Sequence, residues 1–216
     1  MSNINDTFFD GHYKKIWKSI IPDELTVKEV DYMLSAYNLK PGSNVLDLMC
    51  GYGRHAIALA RKGISVTAVD NLADYTNEIS EEAEKEQLPL KVINADVISY
   101  KIDDTCDLAI CMGNSLNFFN ATDTIKLLTN IAAHLKKGGH LLINSWSLSE
   151  IVFKNFKEKS WSYTGELKFL TDSKLLFHPT RIESESIIIS PDGTSEKKTG
   201  IDYIFSMNEM ETMLIE

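Results

Sequence analysis

Three carboxylates, each closing an apolar run, are the residues here whose type and spacing could do chemistry. Val45-Leu46 leads into Asp47-Leu48, and Met49, Cys50, Gly51, Tyr52, Gly53 and Arg54 follow. A short strand, a turn with two glycines and a helix start therefore meet at one nucleotide-sized point, where backbone amides are free to face a ligand. The next apolar run, Ile64 to Val69, ends in Asp70. A carboxylate at that strand tip can accept both hydroxyl protons of a ribose. A third run, Leu90 to Ala95, ends in Asp96 on the same edge, suited to an exocyclic amine of a base. A cofactor is expected at this shared edge.

The elements that must position these acids alternate. The spacing predicts a helix over Thr26 to Asn38, with Thr26 and Glu29 at capping-box spacing and Pro41-Gly42 as its stop. Ala56 to Ala60 reads as a helix packed tightly on a sheet, and Glu78 to Gln87 as an acidic, solvated one. A fourth strand runs from Cys106 to Met112. A helix over Asp123 to Lys137 follows, with Lys136-Lys137 and Gly138-Gly139 as its stop signals, then a fifth strand from His140 to Asn144. Such alternation implies a doubly wound, mostly parallel sheet with helices on both faces.

With these residues in place, the chain resembles the class I S-adenosylmethionine-dependent methyltransferases from about Thr26 to Trp146. The resemblance implies a Rossmann-like α/β fold and S-adenosyl-L-methionine as cofactor, with S-adenosyl-L-homocysteine as product. It also implies that Asp47, Cys50, Gly51 and Gly53 surround the methionine part, Asp70 the ribose, and Asp96 with Val97 the adenine. Gly113, Asn114 and Ser115 would then lie beside the sulfonium. Met49, Arg54, Asn71, Ala95 and Met112 flank these positions and belong to the same expected site. The expected reaction is an in-line displacement onto a nitrogen or oxygen of a small acceptor, in which positioning dominates.

Two other readings compete. Gly51-x-Gly53-x-x-Ala56 with Asp70 also fits the fingerprint of an NAD(P)-binding oxidoreductase, but Asp47 would then face a pyrophosphate of like charge. A non-catalytic protein that binds S-adenosylmethionine is the other. Arg54 has its own problem, because a cation in the first turn of a helix opposes the macrodipole by roughly 0.3–1 kcal/mol. It needs a carboxylate, supplied by cofactor, by substrate, or by Asp47 or a surface acid.

Composition narrows the partners. With 31 acidic and 22 basic residues the formal charge is -9, which disfavours nucleic acid and leaves a small-molecule acceptor. Cys50, Cys106 and Cys111 show no metal spacing and read as reduced thiols of a cytoplasmic protein, with no metal expected. The polar start, Met1 to Asp10, lacks a signal core, and no run suits a membrane helix.

Residues 1-25 are expected to form an N-terminal lid segment, 26-147 the cofactor-binding core, and 148-216 an antiparallel β accessory lobe ending in a helix start at Met207. Acceptor contacts are expected from Trp17, Asn117, Phe118 and Trp146, with Tyr13 and His178 as candidate catalytic groups. The family completes its sheet with an antiparallel pair after such a helix, and Glu216 comes first. Either the chain is truncated or the inserted strands take that place, and an uncovered edge would favour a homodimer.

Overall fold

The computed structural model describes residues 3–215. In chain order it contains α1 (His12–Ile20), α2 (Asp23–Ala36), β1 (Asn44–Leu48), α3 (Arg54–Arg61), β2 (Ser65–Asp70), α4 (Ala73–Glu86), β3 (Leu90–Asn94), β4 (Cys106–Cys111), α5 (Ala121–His134) and β5 (Leu135–Ile143). After these come α6 (Ser149–Asn155), β6 (Lys159–Thr164), β7 (Leu167–Leu176), β8 (Arg181–Ile189), β9 (Ser195–Tyr203) and α7 (Met207–Ile215).

These elements form two compact units. The larger holds residues 22–116 and 122–144. Its five strands are all parallel in the order β3-β2-β1-β4-β5. The chain steps outward from β1 to β3 and then returns to the other side of β1 for β4. With crossovers of one hand, that reversal puts helices on both faces and opens a crevice at the carboxyl ends of β1 and β4. Val45, Leu46 and Leu48 of β1 are buried with Leu108 and Ile110 of β4 and Leu59 of α3, so the core lies directly beneath that crevice.

The smaller unit holds residues 3–21, 117–121 and 145–215. Its sheet is antiparallel in the order β6-β7-β8-β9. Polar pairing joins the N-terminal segment of this unit to its strands. Asn5 is buried and donates Nδ2 to the carbonyl of Ile201 at 2.9 Å while its Oδ1 accepts that residue's N–H at 2.8 Å. Lys198 pairs with Asp10, and His12 with Glu196. The inserted strands form this separate sheet and do not complete the parallel one.

Three helix boundaries differ from the sequence expectation. Helix α2 starts at Asp23 after Pro22, with Asp23 and Glu24 favouring the positive end of its dipole. Thr26 and Glu29 form no capping box, because the earlier start places Thr26 inside the helix; both instead bind Arg54. Helix α4 starts at Ala73, not at the charge run, since Tyr75, Thr76, Ile79 and Ala83 bury one face. Lys136, Lys137, Gly138 and Gly139 lie inside β5 rather than at a helix end. A Cβ on Gly139 would sit 2.9 Å from the carbonyl of Lys136 and 3.2 Å from those of Cys106 and Asp107, at the bulge between β4 and β5. There the glycine serves a close strand approach.

Gly53 caps α3 at φ +76°, and a Cβ on it would meet Ile79 Cγ1 at 2.6 Å. Gly53→Ala is therefore expected to destabilise the protein by about 2 kcal/mol, from left-handed strain and the clash, as read from the denaturant midpoint. Asn5→Ala is expected to cost about 1–3 kcal/mol in the same measurement, because the Ile201 backbone loses both partners.

Candidate cofactor site

At the crevice, β1 ends and the chain turns sharply. Met49 has φ +54° and Gly51 φ +56°, and the Cys50 amide donates to the carbonyl of Val69 at 3.1 Å. The Gly53 amide donates to the Cys50 carbonyl at 3.0 Å, and that of Ile57 to the Gly53 carbonyl at 2.9 Å, so the turn passes directly into α3. A Cβ on Gly51 would meet nothing within 4 Å. Open space therefore lies on the bare side of this turn.

Asp47 is 2 % exposed, and its Oδ2 has no hydrogen-bond partner. Burial pushes its carboxyl up to about 8; the field of Arg54 and the amide of Ala56 pull it down, and Asp70 pushes it further up. A buried carboxylate left in this state calls for a cation. Asp70 differs. Its Oδ2 accepts the Gly51 amide at 2.8 Å and its Oδ1 the Leu72 amide at 3.0 Å. Burial still raises it to about 6, against the pull of the amides of Leu72, Gly51 and Asn71. Its remaining lone pairs stay available to hydroxyl protons.

The other expected cofactor residues continue this edge. Ala95 donates its amide to the Asp70 carbonyl at 3.0 Å; Val97 is buried, and Asp96 is exposed with Oδ1 on the amide of Ile98 at 2.9 Å. Past β4, Gly113 and Asn114 both have φ +69°, and the Asn114 amide donates to the Asn144 carbonyl at 3.1 Å. Ser115 Oγ donates to the Met112 carbonyl at 2.8 Å. Cys50 is a poor nucleophile here, because burial pushes its thiol well above the usual range and Asp47 and Asp70 add to the effect. Among the described residues, no group of three or more His, Cys, Asp or Glu could hold a metal ion.

Arg54 finds its carboxylate within the chain. It pairs with Glu29 and donates Nη1 to Thr26 Oγ1 at 3.0 Å, so the surface-acid alternative is the one the structure realises. Glu29 also lies 2.9 Å from His55 Nε2. The hydrogen bond from His55, and then Arg54, hold Glu29 near 2 against the opposing effect of burial. Burial pushes His55 downward, so the ring is neutral at pH 7 and its Nε2–H donates, since the ionised carboxylate only accepts. Thr26, Glu29 and His55 were not among the expected site residues. The signal was present in Arg54, whose unfavourable first-turn position required a partner.

The residues expected on the acceptor side belong to the smaller unit. Trp17 and Trp146 have ring centroids 6.1 Å apart, and Phe118 lies 4.8 Å from Phe9. Asn117 is committed to internal bonds: Nδ2 donates to the carbonyls of Tyr203 at 2.7 Å and Ser147 at 3.3 Å, and Oδ1 accepts Ser145 Oγ at 2.6 Å. Tyr13 is pushed up to about 12 by burial and then by Asp202, so it stays a phenol at neutral pH. His178 lies on the exposed turn between β7 and β8 with φ +66°.

Residues 45–139 match the methyltransferase domain family. A glycine/sarcosine N-methyltransferase of Aphanothece halophytica is 27% identical over 164 residues, which cover 74% of this chain and 62% of that protein. A carboxy-S-adenosyl-L-methionine synthase of Vibrio atlanticus is 26% identical over 154 residues, covering 67% of this chain and 63% of that protein. The chain thus spans a little over three fifths of the length of these relatives. The crystal structure of an S-adenosylmethionine-dependent methyltransferase from Clostridium acetobutylicum shares the fold, with a TM-score of 0.75 at 19% identity over 94% of this chain and 83% of that one. The parallel sheet and the turn at its switch point agree with these likenesses: residues 45–139 are similar to a methyltransferase domain, and the fold is one shared with an S-adenosylmethionine-dependent methyltransferase.

Proposed function

We propose that this protein transfers a methyl group from S-adenosylmethionine to a nitrogen or oxygen of a small-molecule acceptor. One observation carries the reading: a buried carboxylate, Asp47, with an unpartnered oxygen beside a turn whose Gly51 borders open space. Such a group gains most from a fixed cation, and the ammonium of a methionine part is one. Bound there, S-adenosylmethionine supplies an activated methyl group on a positively charged sulfur. The chain's own contribution is to bind and orient. Asp47 holds the ammonium, Asp70 accepts from the ribose hydroxyls, and Asp96 with Val97 and Ala95 borders the adenine.

The formal charge of -9 works against a polyanionic acceptor, and one relative carries glycine and sarcosine in its name. Both support a small acceptor. Trp17, Phe118 and Trp146 are proposed acceptor contacts, with Tyr13 as a hydrogen-bond donor rather than a base. An acceptor amine that binds neutral needs no base, so His178 takes no part in this proposal. Three unpaired thiols support a cytoplasmic setting, and among the described residues no helix is long and apolar enough to cross a membrane. β5 has one strand neighbour among the described residues, which supports an edge-mediated homodimer.

Titration calorimetry is expected to show binding of S-adenosylmethionine and S-adenosylhomocysteine and none of NADH; preference for NADH would overturn the reading. Release of S-adenosylhomocysteine across fractionated metabolite pools then identifies the acceptor, and hydrolysis without acceptor methylation would mark a non-catalytic binder. Asp47→Asn is expected to weaken S-adenosylhomocysteine binding by about 10- to 100-fold, the scale of a lost buried charge pair. Gly51→Ala should weaken it while costing less stability than Gly53→Ala.

The raised Asp47 carboxyl also sets a pH dependence. An acid whose folded value lies above its unfolded one favours folding in its protonated form, so stability is greatest below about pH 4 for this group and falls as pH rises toward about 8. Without ligand, Asp47→Asn is therefore expected to be more stable than wild type at pH 8, by on the order of a few kcal/mol, with the gap shrinking as pH falls and closing only near pH 4. Equal melting curves at pH 8 would count against an uncompensated Asp47.

A further inference from the structure

Asp47 stays unpaired although a cation lies within range of it. Arg54, in the first turn of α3, lowers the Asp47 carboxyl through its field, yet its guanidinium is bonded to Thr26 Oγ1 and Glu29 on α2. Glu29 is itself fixed by the buried His55, which donates Nε2–H at 2.9 Å. We propose that Glu29, assisted by Thr26, is a positioning residue that holds Arg54 off Asp47 and so keeps Asp47 free for the cationic group of the cofactor. This rests on the proposed cofactor reading and extends it to two residues on a different helix.

The charge arithmetic supports the assignment. Asp47 and Arg54 alone would neutralise each other, and an arriving ammonium would have to displace a guanidinium. With Glu29 present and Asp47 ionised, as an arriving cation would favour, the three groups carry one net negative charge, and the unshared part of it resides on the buried carboxylate. The strong hold on Glu29 follows from geometry: one carboxylate serves both an arginine and a neutral histidine. A simple fastener between α2 and α3 would produce the same bonds, but it would not influence Asp47.

The experiment uses that difference. Asp47 is faced by Arg54 of α3, Asp70 at the tip of β2, Cys50 of the turn and Cys111 of β4; Glu29 is faced by His55, Arg54 and Tyr52. In Glu29→Gln, Arg54 is released to Asp47. S-adenosylhomocysteine affinity is then expected to fall about 10-fold, the size of a new competing ion pair, and to recover largely in Glu29→Gln/Arg54→Met. Thr26→Val, a milder release, should fall between wild type and Glu29→Gln. The ligand-free melting curves give an independent readout, because pairing with Arg54 should remove most of the loss of stability that Asp47 causes between pH 5 and pH 8.

Unchanged affinity in a folded Glu29→Gln, or a double variant no better than the single, would overturn the proposal. If wild type bound neither S-adenosylhomocysteine nor S-adenosylmethionine, the methyltransferase reading would fail instead. The ligand-free pH slope of Glu29→Gln would still decide whether Glu29 holds Arg54 away from Asp47.

Discussion

A carboxylate buried without a counter-cation is costly, and the architecture of the larger unit turns on keeping one at the end of its central strand. Asp47 occupies the tip of β1, where the strand order reverses and the crevice of a doubly wound sheet must open. Pairing it internally would stabilise the protein and remove the reason for a cation to bind. What surrounds it fits that constraint: apolar residues of β1 and β4 beneath, a turn with positive φ at Met49 and Gly51 beside it, and a cation turned elsewhere.

The two neighbouring acids show how environment separates roles. Asp70 is nearly as buried as Asp47, but three backbone amides bind it, so its charge is tolerated and the Gly51 turn is anchored in the process. Asp96 is exposed and shapes its own loop through the amide of Ile98. One strand edge thus presents a carboxylate that needs a cation, one that orders backbone, and one already solvated. The smaller unit follows a different logic. Its N-terminal segment is bound by side-chain mimicry of strand pairing at Asn5, by the ion pair of Lys198 with Asp10 and by the hydrogen bond between His12 and Glu196, and its Asn117 is spent on internal carbonyls.

Much of this was legible in the chain. Apolar runs ending in Asp47 and Asp70 with a two-glycine turn between them fix strand, turn and helix at short range, and the hairpin at Ser190-Pro191-Asp192-Gly193 joins β8 to β9 as its turn residues imply. Other signals had two meanings. Thr26 and Glu29 stand at the spacing of a capping box, yet their bonds go to an arginine on another helix. Lys136-Lys137-Gly138-Gly139 look like a helix stop, yet the glycines serve a strand bulge whose neighbour is far away in sequence. Local spacing cannot distinguish these cases, because the deciding partner is tertiary.

The sequence by itself determined the alternation of elements, the parallel core and the positions of the acids, since periodicity and turn chemistry act over a few residues. Only the tertiary structure decided the state of those acids and the company of Arg54. Desolvation of Asp47 depends on what β1, β4 and α3 pack around it, and the choice of Arg54 between Asp47 and Glu29 depends on where α2 lies. Such energies arise from the distance between charges and the loss of water around them, and folding alone sets both.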